Sequence, residues 1–168
     1  MGWVSQAPDG NFYGPAAQGG NEHGTIYKFV YRSGRGKLTT LHKFDGTDGT
    51  APRGMLLQAT NGSFYGASVF GGTGQCSWCG TAVSLSVGLE PFVETLPVSG
   101  KVGRSVTILG NDLMGATGVM FNGTAAVFKV ITNTEIKATV PVGATTGFVT
   151  VTTPSETLKG NVVFRVMK

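Results

Sequence analysis

An internal repeat constrains this chain more than any other feature. Asp9-Gly10-Asn11-Phe12-Tyr13-Gly14 returns as Asn61-Gly62-Ser63-Phe64-Tyr65-Gly66 at an offset of 52, and Gly19-Gly20 returns as Gly71-Gly72 at the same offset. Gly24-Thr25-Ile26-Tyr27-Lys28-Phe29 returns as Gly80-Thr81-Ala82-Val83-Ser84-Leu85 at an offset of 56, so the second copy holds a four-residue insertion, which contains Cys76-Ser77-Trp78-Cys79. Each copy reads as a small sheet. Trp3 to Ala7 is a strand, Asp9-Gly10 a hairpin turn that uses positive φ, and Asn11 to Gly14 the return strand. Thr25 to Tyr31 alternates apolar and polar residues, the period of a strand, and Leu38 to Phe44 follows the Ser33-Gly34-Arg35-Gly36 turn. Four strands in about 50 residues is the size of a propeller blade.

Composition supports strands. The chain has 168 residues, of which 27 are Gly and only 13% are charged. Glycine costs about 1 kcal/mol against alanine inside a helix, so the mix disfavours helices and suits short strands joined by tight turns. A hydrophobic fraction of 40% is enough for a core. The net charge of +4 comes from scattered residues, the densest stretch being Arg32-Ser33-Gly34-Arg35-Gly36-Lys37. A nucleic-acid surface clusters its charge, so none is expected. No stretch reaches the roughly 18 apolar residues of a membrane span. Met1-Gly2-Trp3-Val4-Ser5 lacks the charged and apolar regions of a signal peptide. The expectation is a cytoplasmic chain or a piece of a longer secreted one.

After Gly88 the pattern changes: glycine thins out and Val and Thr dominate. Pro91-Phe92-Val93 opens this half, and Val98 to Gly103 reads as a turn. Ser105 to Gly110 alternates as a strand; Val119-Met120-Phe121 runs into an Asn122-Gly123 turn; Ala125 to Val130, Glu135 to Val140, Gly147 to Thr152 and Val162 to Val166 make up about seven strands. Short alternating strands at regular spacing indicate a sandwich. The expected fold is therefore all-β: two propeller-blade-like four-stranded repeats at 1–88 (about 2–53 and 54–88), then an immunoglobulin-like sandwich at 89–168.

Two resemblances sharpen this. Leu41-His42-Lys43-Phe44-Asp45-Gly46-Thr47-Asp48-Gly49, Pro52, Gly54, Asn61-Gly62-Ser63-Phe64-Tyr65-Gly66 and Gly71-Gly72 make residues 2–88 resemble the Gloeobacter/Verrucomicrobia-type repeat of large secreted bacterial proteins. That resemblance implies propeller-like arrays, yet only two copies stand here. Two blades leave open sheet edges, so the expectation is either a fragment or a homo-oligomer closing a β ring. Pro97-Val98-Ser99-Gly100, Gly103 to Gly110, Val119 to Gly123, Val140-Pro141 and Val162 to Val166 make residues 90–168 resemble the IPT/TIG family of immunoglobulin-like domains. The family occurs in extracellular bacterial proteins, receptors and some transcription factors, commonly as a spacer or accessory module, and it implies no general catalytic site.

Candidate chemistry lies in the first half. Asp45-Gly46-Thr47-Asp48-Gly49-Thr50 offers two carboxylates three apart, with glycines that let carbonyls turn inward, a pattern that suits Ca²⁺. The competing reading is that Asp-Gly pairs make turns. Asp9 and Glu22 complete the candidate ion ligands. Cys76 and Cys79 form a C-x-x-C with neither a second metal-ligand pair nor a redox βαβ context; they read as a local loop clip or as two free thiols, and secretion favours the disulfide. Trp78, with Tyr13 and Tyr65, is a candidate ligand contact, since an exposed aromatic stacks on a sugar ring. No G-x-S-x-G or H-E-x-x-H is present. His23 and His42 are the only candidates for a general base, His23 in the loop where a propeller presents functional groups; both also read as ordinary surface residues.

Two functions fit these residues. The first is extracellular binding or surface interaction, with carbohydrate or protein contact, in a secreted or cell-surface bacterial protein. The second, by analogy with calcium-dependent propeller lactonases, is a Ca²⁺-dependent hydrolase of lactones or esters such as an N-acyl-homoserine lactone, with the ion on Asp45, Asp48, Asp9 and Glu22 and His23 or His42 as base.

Overall fold

A computed structural model describes residues 3–73 and 78–168. Among the described residues every regular element is a strand. The chain divides into two units, Met1–Ala59 with Ser63–Leu89, and Thr60–Gly62 with Glu90–Lys168.

The first unit opens with β1 (Ser5–Gln6), β2 (Phe12–Ala16), β3 (Thr25–Arg32) and β4 (Arg35–Lys43), an antiparallel sheet in sequence order. β3 and β4 close over Ser33 and Gly34, both at positive φ (50° and 77°). That left-handed pair matches the twist of the strands it joins. A second antiparallel sheet follows: β5 (Thr50–Gln58), β6 (Phe64–Phe70) and β7 (Ala82–Leu85). Its pairings reproduce those of the first sheet. Ser5 faces Tyr13 and Phe12 faces Phe29; 52 and 56 residues on, Leu57 faces Tyr65 and Phe64 faces Leu85. The repeat is thus one of strand register, and the insertion falls between β6 and β7. The expected fourth strand of the second copy is not formed. No Ser-Gly turn follows Leu85; Val87 and Leu89 instead pack against the core of this unit, and the chain passes into the second unit.

The two sheets bury opposite faces. In the first copy Tyr13 and Ile26 are inside; in the second Phe64 is inside and Tyr65, the counterpart of Tyr13, is exposed. The Tyr13 and Phe64 rings meet at 4.6 Å, with Phe44, Leu56 and Ala7 around them and the Ser5 hydroxyl donating to the Leu56 carbonyl.

The second unit contains β8 (Phe92–Leu96), β9 (Ser99–Lys101), β10 (Ser105–Leu109), β11 (Gly118–Phe121), β12 (Thr124–Ala125), β13 (Phe128–Thr132), β14 (Glu135–Thr139), β15 (Val149–Thr152), β16 (Thr157–Gly160) and β17 (Arg165–Met167). Eight of them run in the order β12-β11-β15-β16-β8-β10-β14-β13. β8 joins the two halves, parallel to β16 and antiparallel to β10. Both halves feed one core: Val119, Phe121, Val149, Val151 and Leu158 from one, Val93, Val106, Ile108, Ile136 and Ala138 from the other, with Phe164 edge-on to Phe121 at 5.0 Å. Alternation along each strand produces this, as in β10, where Val106 and Ile108 point in.

The strand count differs from the sequence reading. Val98 to Gly103, read as a turn, holds β9, which pairs parallel with β17. Ser-Gly-Lys has no apolar alternation; only its partner makes it a strand. β16 also lacks a strand-like composition and is defined by pairing with β15 and β8.

Candidate functional site

The loop from β4 to β5 carries the Asp-Gly pairs. Its carboxylates are turned onto the loop itself. Asp45 Oδ1 accepts hydrogen bonds from the Thr47 amide (2.8 Å), the Thr47 hydroxyl (2.6 Å) and the Asp48 amide (3.3 Å). The Thr47 hydroxyl and then the Thr47 and Asp48 amides hold its pKa down to about 2. Asp48 accepts from the Asp45 amide through Oδ1 and sits 2.6 Å from His42 Nε2 through Oδ2. His42 is edge-on to Phe44 at 4.8 Å. His23 Nδ1 is 3.1 Å from the Thr50 hydroxyl. The second sheet grips the same loop: the Thr81 hydroxyl donates to the Asp48 carbonyl and the Gly72 amide to the Gly46 carbonyl. Two histidines and two carboxylates therefore form a clamp on the crossover between the repeats.

Asp9 and Glu22 lie elsewhere. Asp9 binds the Asn11 amide and side chain, the Tyr13 hydroxyl (2.8 Å) and Lys28 Nζ (3.4 Å). Burial works to raise its pKa, but these bonds outweigh it and hold the carboxyl below its usual value. The Tyr13 phenol is pushed up, chiefly by burial. Glu22 sits at positive φ on an exposed turn. Among the described residues no group of three or more His, Cys, Asp or Glu converges as a metal site.

The aromatic candidates separate. Tyr13 is 0% exposed, so it is a core residue whose hydroxyl anchors Asp9, not a ligand contact. Tyr65 is exposed on the outer face of the second sheet. Trp78 is 79% exposed and lies edge-on to Phe70 at 5.3 Å. Cys79 is disulfide-bonded; Cys76 lies outside the described residues.

Phe70 leads to a feature no motif signals. An open groove of about 920 Å³ runs along the first unit, lined by Gln18, Glu22, Tyr27, Pro52, Arg53 and Phe70 among others. That volume is in the range of small-ligand clefts. It offers two aromatic residues, one carboxylate, one guanidinium and one amide, with Trp78 beside Phe70. Of these only Glu22 and Trp78 stood out in the sequence. The groove exists because β2 and β3 of one copy meet β5 and β6 of the other, a tertiary contact without a local signature.

The second unit is an immunoglobulin-like module. Its residues 92–166 match the model of the IPT/TIG domain. That match covers the second half alone. A comparison of the chain with curated proteins gives no match.

Proposed function

We propose that this chain is a binding module of an extracellular or cell-surface protein, in which the repeat unit contacts carbohydrate and the IPT/TIG domain serves as its accessory module. The observation that carries this is the groove. Tyr27 and Phe70, with the exposed Trp78 beside Phe70, supply apolar faces for sugar rings, and Gln18, Glu22 and Arg53 supply hydrogen-bonding groups for hydroxyls. Aromatic faces with a few polar groups are the composition of such clefts. The IPT/TIG match supports a modular setting.

The test is a glycan array or polysaccharide pull-down, followed by titration of the best binder. Phe70→Ala with Trp78→Ala should weaken binding at least about tenfold, the loss of about 1.4 kcal/mol. Binding that ignores both substitutions, or capture of proteins and no glycan, would sink the carbohydrate reading.

A second reading, a calcium-dependent lactone hydrolase, has one observation on its side: Asp48 holds His42 at 2.6 Å, as a carboxylate orients a general base. Lactone opening that disappears with chelator and with His42→Ala would favour it. Turnover indifferent to both would dismiss it.

A further inference from the structure

We propose that the end of the β3–β4 hairpin is a docking surface for an acidic polysaccharide, a chain of uronic acid units whose carboxylates meet Arg32, Arg35 and Lys37. None of these three residues lines the groove, so this is a second place on the first unit, with a different ligand chemistry.

The hairpin is built as an arm. β2 pairs with β3 only as far as Phe29, and beyond that point β3 and β4 run on as two strands alone. Residues 31–40 are all exposed. A lone hairpin is marginal in water, and this one is stiffened by its own residues. Gly36 lets the Phe29 ring lie across the neighbouring strand: a Cβ there would stand 2.7 Å from two atoms of the ring. Tyr31 stacks on Phe29 at 6.4 Å. The rings share one face of the arm, because alternate residues of a strand point the same way.

The other face carries the charge. Arg32 stands opposite Arg35, and Lys37 opposite Val30, all on that face. Like charges directly opposite one another destabilise a strand pair. The carboxylates of this unit do not relieve them. Asp9 is engaged with Lys28, Asp45 with its own loop and Asp48 with His42, while Glu22 lines the groove. From His23 to Phe44 the chain holds no Asp or Glu. Among the described residues no ion pair reaches Arg32, Arg35 or Lys37. Three cations held together on a stiff, exposed arm at a cost in stability are arranged for an anion supplied from outside.

Spacing selects the anion. Cross-strand partners such as Arg32 and Arg35 are about 5 Å apart at Cα, and alternate residues such as Arg35 and Lys37 about 7 Å. Duplex DNA carries one charge per about 1.7 Å, far denser than this surface. A polymer with one carboxylate per sugar matches it better, and a planar guanidinium takes a carboxylate through two parallel hydrogen bonds.

The test is fluorescence anisotropy of labelled oligogalacturonate with the full chain, against its methyl-esterified, uncharged form. The acid form should bind more tightly, and added salt should weaken it. Arg32→Gln, Arg35→Gln and Lys37→Gln together should lower its affinity at least about tenfold. The same triple variant should unfold in urea no earlier than wild type, because the like-charge pair is gone. The groove pair Phe70→Ala with Trp78→Ala should leave the preference for the acid form in place, so failure of the groove reading and failure of this one are told apart. Equal binding of the acid and the ester overturns the proposal, as does affinity indifferent to the triple variant. Tighter binding to duplex DNA or to phosphatidylglycerol vesicles also overturns it, and so does a triple variant that is less stable than wild type, which makes the three cations structural.

Discussion

Phe12 and Phe64 occupy the same place in the two copies and the same register, so replacing each by alanine isolates the effect of the buried face. Phe64 is fully buried against Tyr13. A buried aromatic takes about 200 Å² out of water, which at about 25 cal/mol per Å² bounds its contribution near 5 kcal/mol. Alanine keeps a little of this and leaves a cavity, so Phe64→Ala should cost about 3–5 kcal/mol. Phe12 is half-buried, its ring tilted against Phe29 at 6.5 Å, and Phe12→Ala should cost about 1–2 kcal/mol. Urea denaturation followed by tryptophan emission suits the measurement, because both tryptophans, Trp3 and Trp78, lie in the first unit. Equal costs at the two positions, or a larger one at Phe12, would refute the assignment of opposite buried faces.

Three further outcomes are expected. The Asp45 pKa is lowered from 3.8 to about 2, so its loop hydrogen bonds are fully present above about pH 4 and are lost as pH falls through about 2; carboxyl NMR titration reads this midpoint, and a value near 3.8 would mean that the Thr47 bonds do not form in solution. Gly34→Ala, at φ 77° in the β3–β4 turn, should destabilise the first unit by about 1 kcal/mol, measured by the same denaturation. Phe121→Ala removes one of the two rings at the centre of the second core and should cost that unit about 3–5 kcal/mol; hydrogen exchange should show lost protection in β10, β14 and β15.

Several particulars were legible without coordinates. The 52- and 56-residue offsets translate into identical pairings because register follows the hydrophobic pattern and the turns, and both are repeated. Asn122 and Gly123 adopt φ of 46° and 86°, as an Asn-Gly hairpin turn requires. Val106 and Ile108 point inward because alternation along a half-buried strand leaves them no other choice. β9 was not legible, since Ser-Gly-Lys becomes a strand only beside Arg165–Met167. Nor was the Asp45 loop: two carboxylates three apart look alike whether they face an ion or their own amides, and the hydrogen bonds decide.

The sequence by itself determined most of the strands and the register that the two copies share. Tertiary structure alone decided which face of each repeat is buried. The local pattern is silent there, because a Phe-Tyr pair presents an aromatic ring on both sides of its strand. Packing of one sheet on the other breaks that tie, burying Tyr13 in the first copy and Phe64 in the second. The same event creates the groove of Tyr27, Arg53 and Phe70 and turns His42 and Asp48 into a clamp on the crossover. Each of these depends on residues from different strands arriving at one place, and no spacing along the chain encodes that.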